Sequence, residues 1–120
     1  MTSLFVYGTL TPDGDAWRIL EPWVVGDPCP DAVRGTLYDT GRGYPCATFD
    51  AAAPGFVHGV VVVLDPARAH EALAALDRYE AAEYARVEVR TETGTAAATY
   101  VWTAPLDRCA AVPGGAWPAR

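Results

Sequence analysis

The chain has 120 residues, 51% of them apolar and 20% charged, which is the composition of one ordinary globular domain with too little length for a second. A net charge of −6, with nine scattered arginines and no lysine, leaves no basic stripe for phosphate neutralisation, so a nucleic-acid partner is discounted. The apolar run Val60–Leu64 falls far short of the roughly 20 residues of a membrane span, and no basic segment precedes an apolar one near Met1, so we expect a cytoplasmic protein with no signal peptide and no membrane partner.

Taken in chain order, Ser3–Tyr7 (SLFVY) reads as a short strand that stops at Gly8. A polar turn with Pro12 and Gly14 follows. A short helix is predicted from about Asp15, its capping residue, to Leu20, with Pro22 closing it. Val33–Tyr38 alternates around Gly35 as a strand, Gly41–Tyr44 is a turn, and Cys46–Phe49 is another short strand. Phe56–Leu64 is Val-rich and almost continuously apolar, which suits a central strand covered on both faces.

Asp65-Pro66 is a helix start, a capping Asp followed by Pro at the first helical position, and this helix should run to Tyr79 or Ala82. Tyr84–Arg90 (YARVEVR) and Ala97–Trp102 (AATYVW) read as two further strands, and 103–120 as an irregular Pro-, Gly- and Ala-rich tail. Without repeats or a linker, this order predicts a single α+β domain over 1–120. Its sheet is small, mixed or mostly antiparallel and able to curl like a β-barrel, with one main helix.

Missing residue types narrow the chemistry. The chain has no Lys, Asn or Gln, and Ser3 is its sole serine. That excludes a Schiff-base or phosphate-loop lysine and a Cys-His-Asn triad, and Ser3 has no G-x-S-x-G elbow around it. Cys29, Cys46 and Cys109 are odd in number, widely spaced and free of any CxxC pair, so they read as reduced structural thiols and not as zinc ligands or a nucleophile. His58 falls in a strand-like run and His70 in a helical one, and both read as structural. Carboxylates, tyrosines, arginines and backbone amides remain, with no metal and no cofactor expected.

Among the carboxylates Glu80 is singled out. Leu73 and Leu76 define the core-facing stripe of the helix, and Glu80 falls between them in angle at about 100° per residue. It also sits in the last turn, where the helix dipole disfavours negative charge by about 0.3–1 kcal/mol. Partial burial and the dipole would both raise its pKa towards the range of a general base. The competing reading is a helix that frays near Tyr79 and turns Glu80 into water. Glu71 and Glu83 occupy positions read as solvated. Tyr7-Gly8-Thr9-Leu10 ends a strand on a glycine turn, a possible anion nest of backbone N–H groups or merely a strand end. Tyr84 and Arg86 stand two residues apart and so on one strand face, placed to orient a substrate or Glu80, or else to form a cross-strand aromatic and a surface ion pair.

Five segments in order resemble the γ-glutamylcyclotransferase (AIG2-like) family and together cover nearly the whole chain. LFVYGTL (Leu4–Leu10) is similar to its VYGTL/YGSL signature, and GTLYDTGRGYPCA (Gly35–Ala47) to its G-x-LYD-x-G-x-YP segment. FVHGVVVVLD (Phe56–Asp65) resembles its V-x-GEVY strand, and ALDRYEAAEYARVEV (Ala75–Val89) its L-D-x-x-E-G-x-x-Y-x-R-x-x-V segment. The closing GGAWPAR is similar to a GGDW-type tail. Two positions depart from the pattern: Ala81 stands where the family has Gly, and Val60 where it has Glu.

The resemblance implies that Glu80 is the acid/base and that Tyr7, Gly8, Thr9 and Leu10 bind a glutamyl group, largely through backbone amides. It also implies a small-molecule γ-glutamyl substrate, cyclised by its own α-amino group to 5-oxoproline with release of an amine or amino acid, without metal or cofactor. The alternatives are a non-catalytic binding or interaction module of the same fold, and an enzyme acting on another amide. The leaving-group side is expected from the loops Glu21–Asp31 and Thr103 onward. Oligomeric state has no readable mark.

Overall fold

A computed structural model describes residues 2–80 and 82–118; Ala81 and the last two residues of the GGAWPAR tail lie outside them. Among the described residues there are seven strands: β1 (Thr2–Val6), β2 (Val24–Asp39), β3 (Pro45–Phe49), β4 (Phe56–Leu64), β5 (Tyr84–Arg90), β6 (Ala96–Trp102) and the two-residue β7 (Ala110–Ala111). The helices are α1 (Trp17–Leu20), which runs into a single 3₁₀ turn at Glu21–Trp23, and α2 (Ala69–Glu80). The strand order is β3-β2-β4-β1-β6-β5, with β7 also on β2, and only the β1–β6 pair is parallel. The sheet curls until β3 lies against β6, giving the nearly closed, barrel-like α+β fold expected from the sequence. No helix among the described residues is long and apolar enough to cross a membrane.

β1 shows why its apolar residues are consecutive. Leu4 and Val6 pack under α2 with Leu20, Val62, Leu64, Ala72 and Leu76, while Phe5 and Tyr7 face the other way into a cluster with Leu37, Ala47, Val57 and Val61. Successive strand residues point to opposite faces, so a strand buried on both must be apolar throughout. α2 is rich in good helix formers (AHEALAALDRYE) and covers the first cluster with Ala69, Ala72 and Leu76. Burying one such leucine stabilises by about 1.5–3 kcal/mol.

Several expectations change. The first helix starts later than Asp15; Ala16 stands at its N-cap without a side-chain bond, and Pro22 sits inside the 3₁₀ turn instead of ending the helix. Asp65 caps a turn through the Ala67 N–H (3.0 Å), and the continuous helix begins at Ala69. The strand expected at Val33–Tyr38 is the second half of a 16-residue β2. Its first half carries Gly26, Pro28 and Pro30, which argue against a strand in sequence. A bulge absorbs them: between Val25↔Val63 and Cys29↔Val61, Gly26, Asp27 and Pro28 face Val62 alone. After Thr103 the chain is mostly irregular, but β7 pairs with β2 and the Gly115 carbonyl accepts the His58 N–H (2.8 Å), strapping the chain back onto β4.

Candidate active site

The turn after β1 is shaped by its own backbone. The Gly8 carbonyl accepts from both the Thr11 N–H (3.2 Å) and its hydroxyl (2.9 Å), and the Thr9 carbonyl from the Ala16 N–H (2.8 Å). Gly14 makes this fold-back possible, since a Cβ there would lie 2.2 Å from the Thr9 oxygen. The N–H groups of Gly8, Thr9 and Leu10 make no hydrogen bond to another described residue. These three residues line a cavity of about 350 Å³, in the size range of small-molecule sites.

Glu80 stands opposite, as the last residue of α2. The helix holds through this position, so the carboxyl faces the cavity and is only partly accessible. Burial pushes its pKa from an ordinary 4.5 up to about 7, because a desolvated carboxylate disfavours its charge. Among the described residues no arginine pairs with it and no donor bonds it.

The remaining wall is phenolic, and three of its hydroxyl protons are already donated. Tyr7 Oη donates to the Tyr100 carbonyl (2.6 Å), Tyr84 Oη to the Pro45 carbonyl (2.8 Å), and Tyr100 Oη to Asp77 Oδ1 (2.7 Å). Burial is the largest cause holding all three phenols above their ordinary pKa, and the nearby Glu80 carboxylate adds to it. They therefore stay neutral and shape the pocket. Tyr84 is further fixed edge-on to Trp102 at 5.2 Å. At the mouth Glu83 pairs with Arg42 (2.8 Å), tying the exit of α2 to the β2–β3 turn.

Of the residues singled out in the sequence, Tyr7, Gly8, Thr9, Leu10, Glu80 and Tyr84 all line this cavity. Arg86 does not; its Nε pairs with Asp77 Oδ1 at 3.2 Å, the surface ion pair of the alternative reading, because its long side chain turns back to α2. Glu83, read as solvated, is half-buried at the mouth, whereas Glu71 is exposed as expected. Val60, at the family's Glu position, packs against the core under α2. The leaving-group loops are placed differently from expectation. Glu21–Asp31 lines neither this cavity nor its neighbour, a hollow of about 330 Å³ that shares Glu83 and is bordered by Ala104, Pro105 and Asp107–Cys109. His58, His70 and the cysteines are outside the cavity wall, and burial pushes the Cys46 thiol up to about 12, leaving it protonated. Sequence reasoning missed Tyr44, Tyr79 and Tyr100; only Tyr44 carried a signal, in the YP of the second family-like segment.

Known proteins bear on this arrangement. The family model "Gamma-glutamyl cyclotransferase, AIG2-like" matches residues 4–119. A comparison with curated proteins finds no match. Among solved structures, protein ytfP from Escherichia coli is 31% identical with a TM-score of 0.63, covering 98% of this chain and 96% of that one. An AIG2-like protein from Mus musculus is 19% identical with a TM-score of 0.65, over 87% of this chain and 77% of its own. YkqA from Bacillus subtilis is 23% identical with a TM-score of 0.70; the match covers 97% of this chain but only 39% of YkqA, so this chain spans well under half of that relative. With the family model spanning nearly its whole length, this chain belongs to the γ-glutamyl cyclotransferase, AIG2-like family.

Proposed function

We propose that the protein is a γ-glutamylcyclotransferase that converts a γ-glutamyl amide to 5-oxoproline and a free amine or amino acid. The observation that carries this reading is Glu80: a carboxyl near neutrality in its pKa, without a partner among the described residues, lining one small cavity with the Gly8–Leu10 turn, whose N–H groups are unbonded there. A γ-glutamyl group supplies what each side lacks. Its α-ammonium meets Glu80, and its α-carboxylate meets the N–H groups of Gly8, Thr9 and Leu10.

In the reaction Glu80 takes a proton from the α-ammonium, and the neutral amine attacks the γ-carbonyl carbon of the same molecule. The new C–N bond closes the five-membered ring. The tetrahedral intermediate then expels the original amide nitrogen, which receives its proton from Glu80, while the ring nitrogen gives up its second hydrogen through the freed Glu80 carboxylate to the departing amine, which leaves as an ammonium. Nucleophile and electrophile share one molecule, so the protein's main task is to hold the folded-over conformer between the turn and the phenolic wall. In this reading, a backbone N–H of the turn not taken by the α-carboxylate would stabilise the developing oxyanion.

The test is incubation of purified protein with γ-glutamyl amino acids and γ-glutamyl amines, with 5-oxoproline followed by mass spectrometry and Glu80→Gln run in parallel. The expected result is product from the wild type and a rate lower by roughly 10²–10⁴-fold in the folded variant. Wild-type rates from Glu80→Gln would remove Glu80 as the base. Binding of γ-glutamyl compounds without product would favour a non-catalytic binding module.

A further inference from the structure

Three residues before Glu80, on the same helix, Asp77 is exposed and lines no part of the cavity, yet it is the best-connected side chain of that turn. Its Oδ1 accepts from the Tyr100 hydroxyl at 2.7 Å and meets Arg86 Nε at 3.2 Å. Tyr100 belongs to β6 and Arg86 to β5, so one carboxylate ties the end of α2 to both neighbouring strands. The chain of bonds continues inward, since the Tyr100 carbonyl accepts the Tyr7 hydroxyl at 2.6 Å, and Tyr7 and Tyr100 both face Glu80 across the cavity. The last turn of a helix lacks carbonyl partners beyond it and frays unless something holds it. Arg42 and Thr103 hold Glu83 just beyond the helix, but within the final turn itself the fully buried residues of α2 end at Leu76.

We infer that Asp77 is a positioning residue for Glu80: held by Tyr100 and Arg86, it pins the final turn of α2 over the cavity and keeps the Glu80 carboxyl inside, out of water. The inference rests on the proposed cyclotransferase reading only for its kinetic consequence; the placement itself is measurable without substrate.

The groups that face Glu80 limit what else could move its titration. They are the phenols of Tyr7, Tyr44, Tyr79, Tyr84 and Tyr100 and the Glu83 carboxylate, which is paired with Arg42. Asp77 itself carries a charge one helical turn away, so losing that charge must be separated from losing the tether. Asp77→Asn removes the charge but keeps an oxygen that accepts from Tyr100 and Arg86. Tyr100→Phe keeps the charge and the ring in the cavity wall but removes the main tether. Asp77→Ala removes charge and tether together.

The experiment is NMR titration of carboxyl-labelled glutamate in the intact chain and these three variants, each shown folded by circular dichroism, with kcat and KM on a γ-glutamyl amide. Asp77→Ala and Tyr100→Phe should move the Glu80 midpoint down from about 7 towards 4.5, as a carboxyl regains water. The same two variants should lower kcat by up to roughly 10²-fold, as misplacement of a reacting group does, with KM little changed. Asp77→Asn should restore most of both. Should Asp77→Ala fail to fold, Tyr100→Phe carries the test alone. Equal shifts in Asn and Ala with Tyr100→Phe unmoved would reduce Asp77 to a charge and overturn the inference, as would no shift in any variant. Midpoints that move as stated without 5-oxoproline from any substrate would support the positioning role while removing the cyclotransferase reading.

Discussion

Glu80→Gln offers a measurement on this fold that needs no substrate at all. The folded protein holds the Glu80 carboxyl at about 7 against an ordinary value of 4.5, so the native state binds this proton more tightly than the unfolded chain. Below pH 4.5 the group is neutral in both states and costs nothing. As the pH rises through the window from 4.5 to 7, the unfolded chain ionises first and stability is lost; above 7 the loss is complete. At about 1.4 kcal/mol per pKa unit between 4.5 and about 7, the loss amounts to at most about 3.5 kcal/mol, less whatever the open mouth of the cavity relieves.

Glutamine matches the shape and cannot ionise. Urea unfolding of both proteins at pH 4.5 and pH 8 therefore isolates the effect, because every other titrating group cancels between variants. Near pH 4.5 the two should be equally stable within error. At pH 8 Glu80→Gln should be the more stable by roughly 1–3 kcal/mol. A difference that is the same at both pH values, or wild type more stable at pH 8, would refute burial as the cause of the shift.

Three further outcomes follow from other parts of the molecule. Gly115→Ala places a Cβ 1.9 Å from the Phe56 carbonyl oxygen at a φ of +68°, so it should cost more than about 1 kcal/mol in urea unfolding and loosen the strap at His58. Tyr84→Phe keeps the ring against Trp102 but strands the Pro45 carbonyl; a loss of about 1–3 kcal/mol is expected, and no loss would mean that water already serves that carbonyl. Removing the mouth ion pair with Arg42→Ala should leave stability nearly unchanged, since both partners are substantially exposed, and thermal denaturation in low and high salt would check it.

How much of this was readable beforehand depends on range. β4, β5 and the body of α2 follow from local periodicity, which needs no tertiary partner. The first half of β2 was hidden because Pro28 and Pro30 contradict a strand and only the bulge opposite Val62 reconciles them. Two-residue β7 has no pattern to read, and its pairing with Tyr38 and Asp39 is a property of the tail's path. At the site, helix angle put Glu80 beside the apolar stripe, and the family-like segments marked the Tyr7–Leu10 turn. Strand alternation put Tyr84 and Arg86 on one face, but it says nothing about where a long side chain ends, and Arg86 ends on Asp77. The bonds Tyr7–Tyr100 and Asp77–Tyr100 join residues 93 and 23 positions apart, which local rules do not relate.

The cavity wall also makes one kinetic prediction unusually restrictive. With the protons of Tyr7, Tyr84 and Tyr100 committed to Tyr100, Pro45 and Asp77, and with all three phenols pushed further from neutrality, Glu80 is the group poised to exchange a proton near pH 7. If it is the base, kcat/KM falls as pH drops through about 7, because that parameter reports the free enzyme. The pH dependence of stability and the NMR titration concern the same proton in the same state. The rate and NMR midpoints must then coincide, the loss of stability must level off just above that same pH, and Glu80→Gln must abolish the acid limb together with most of the rate. A rate midpoint a full unit or more from the titration midpoint would place the proton acceptor elsewhere, on the substrate or on Glu83, and leave Glu80 a buried carboxyl with another task.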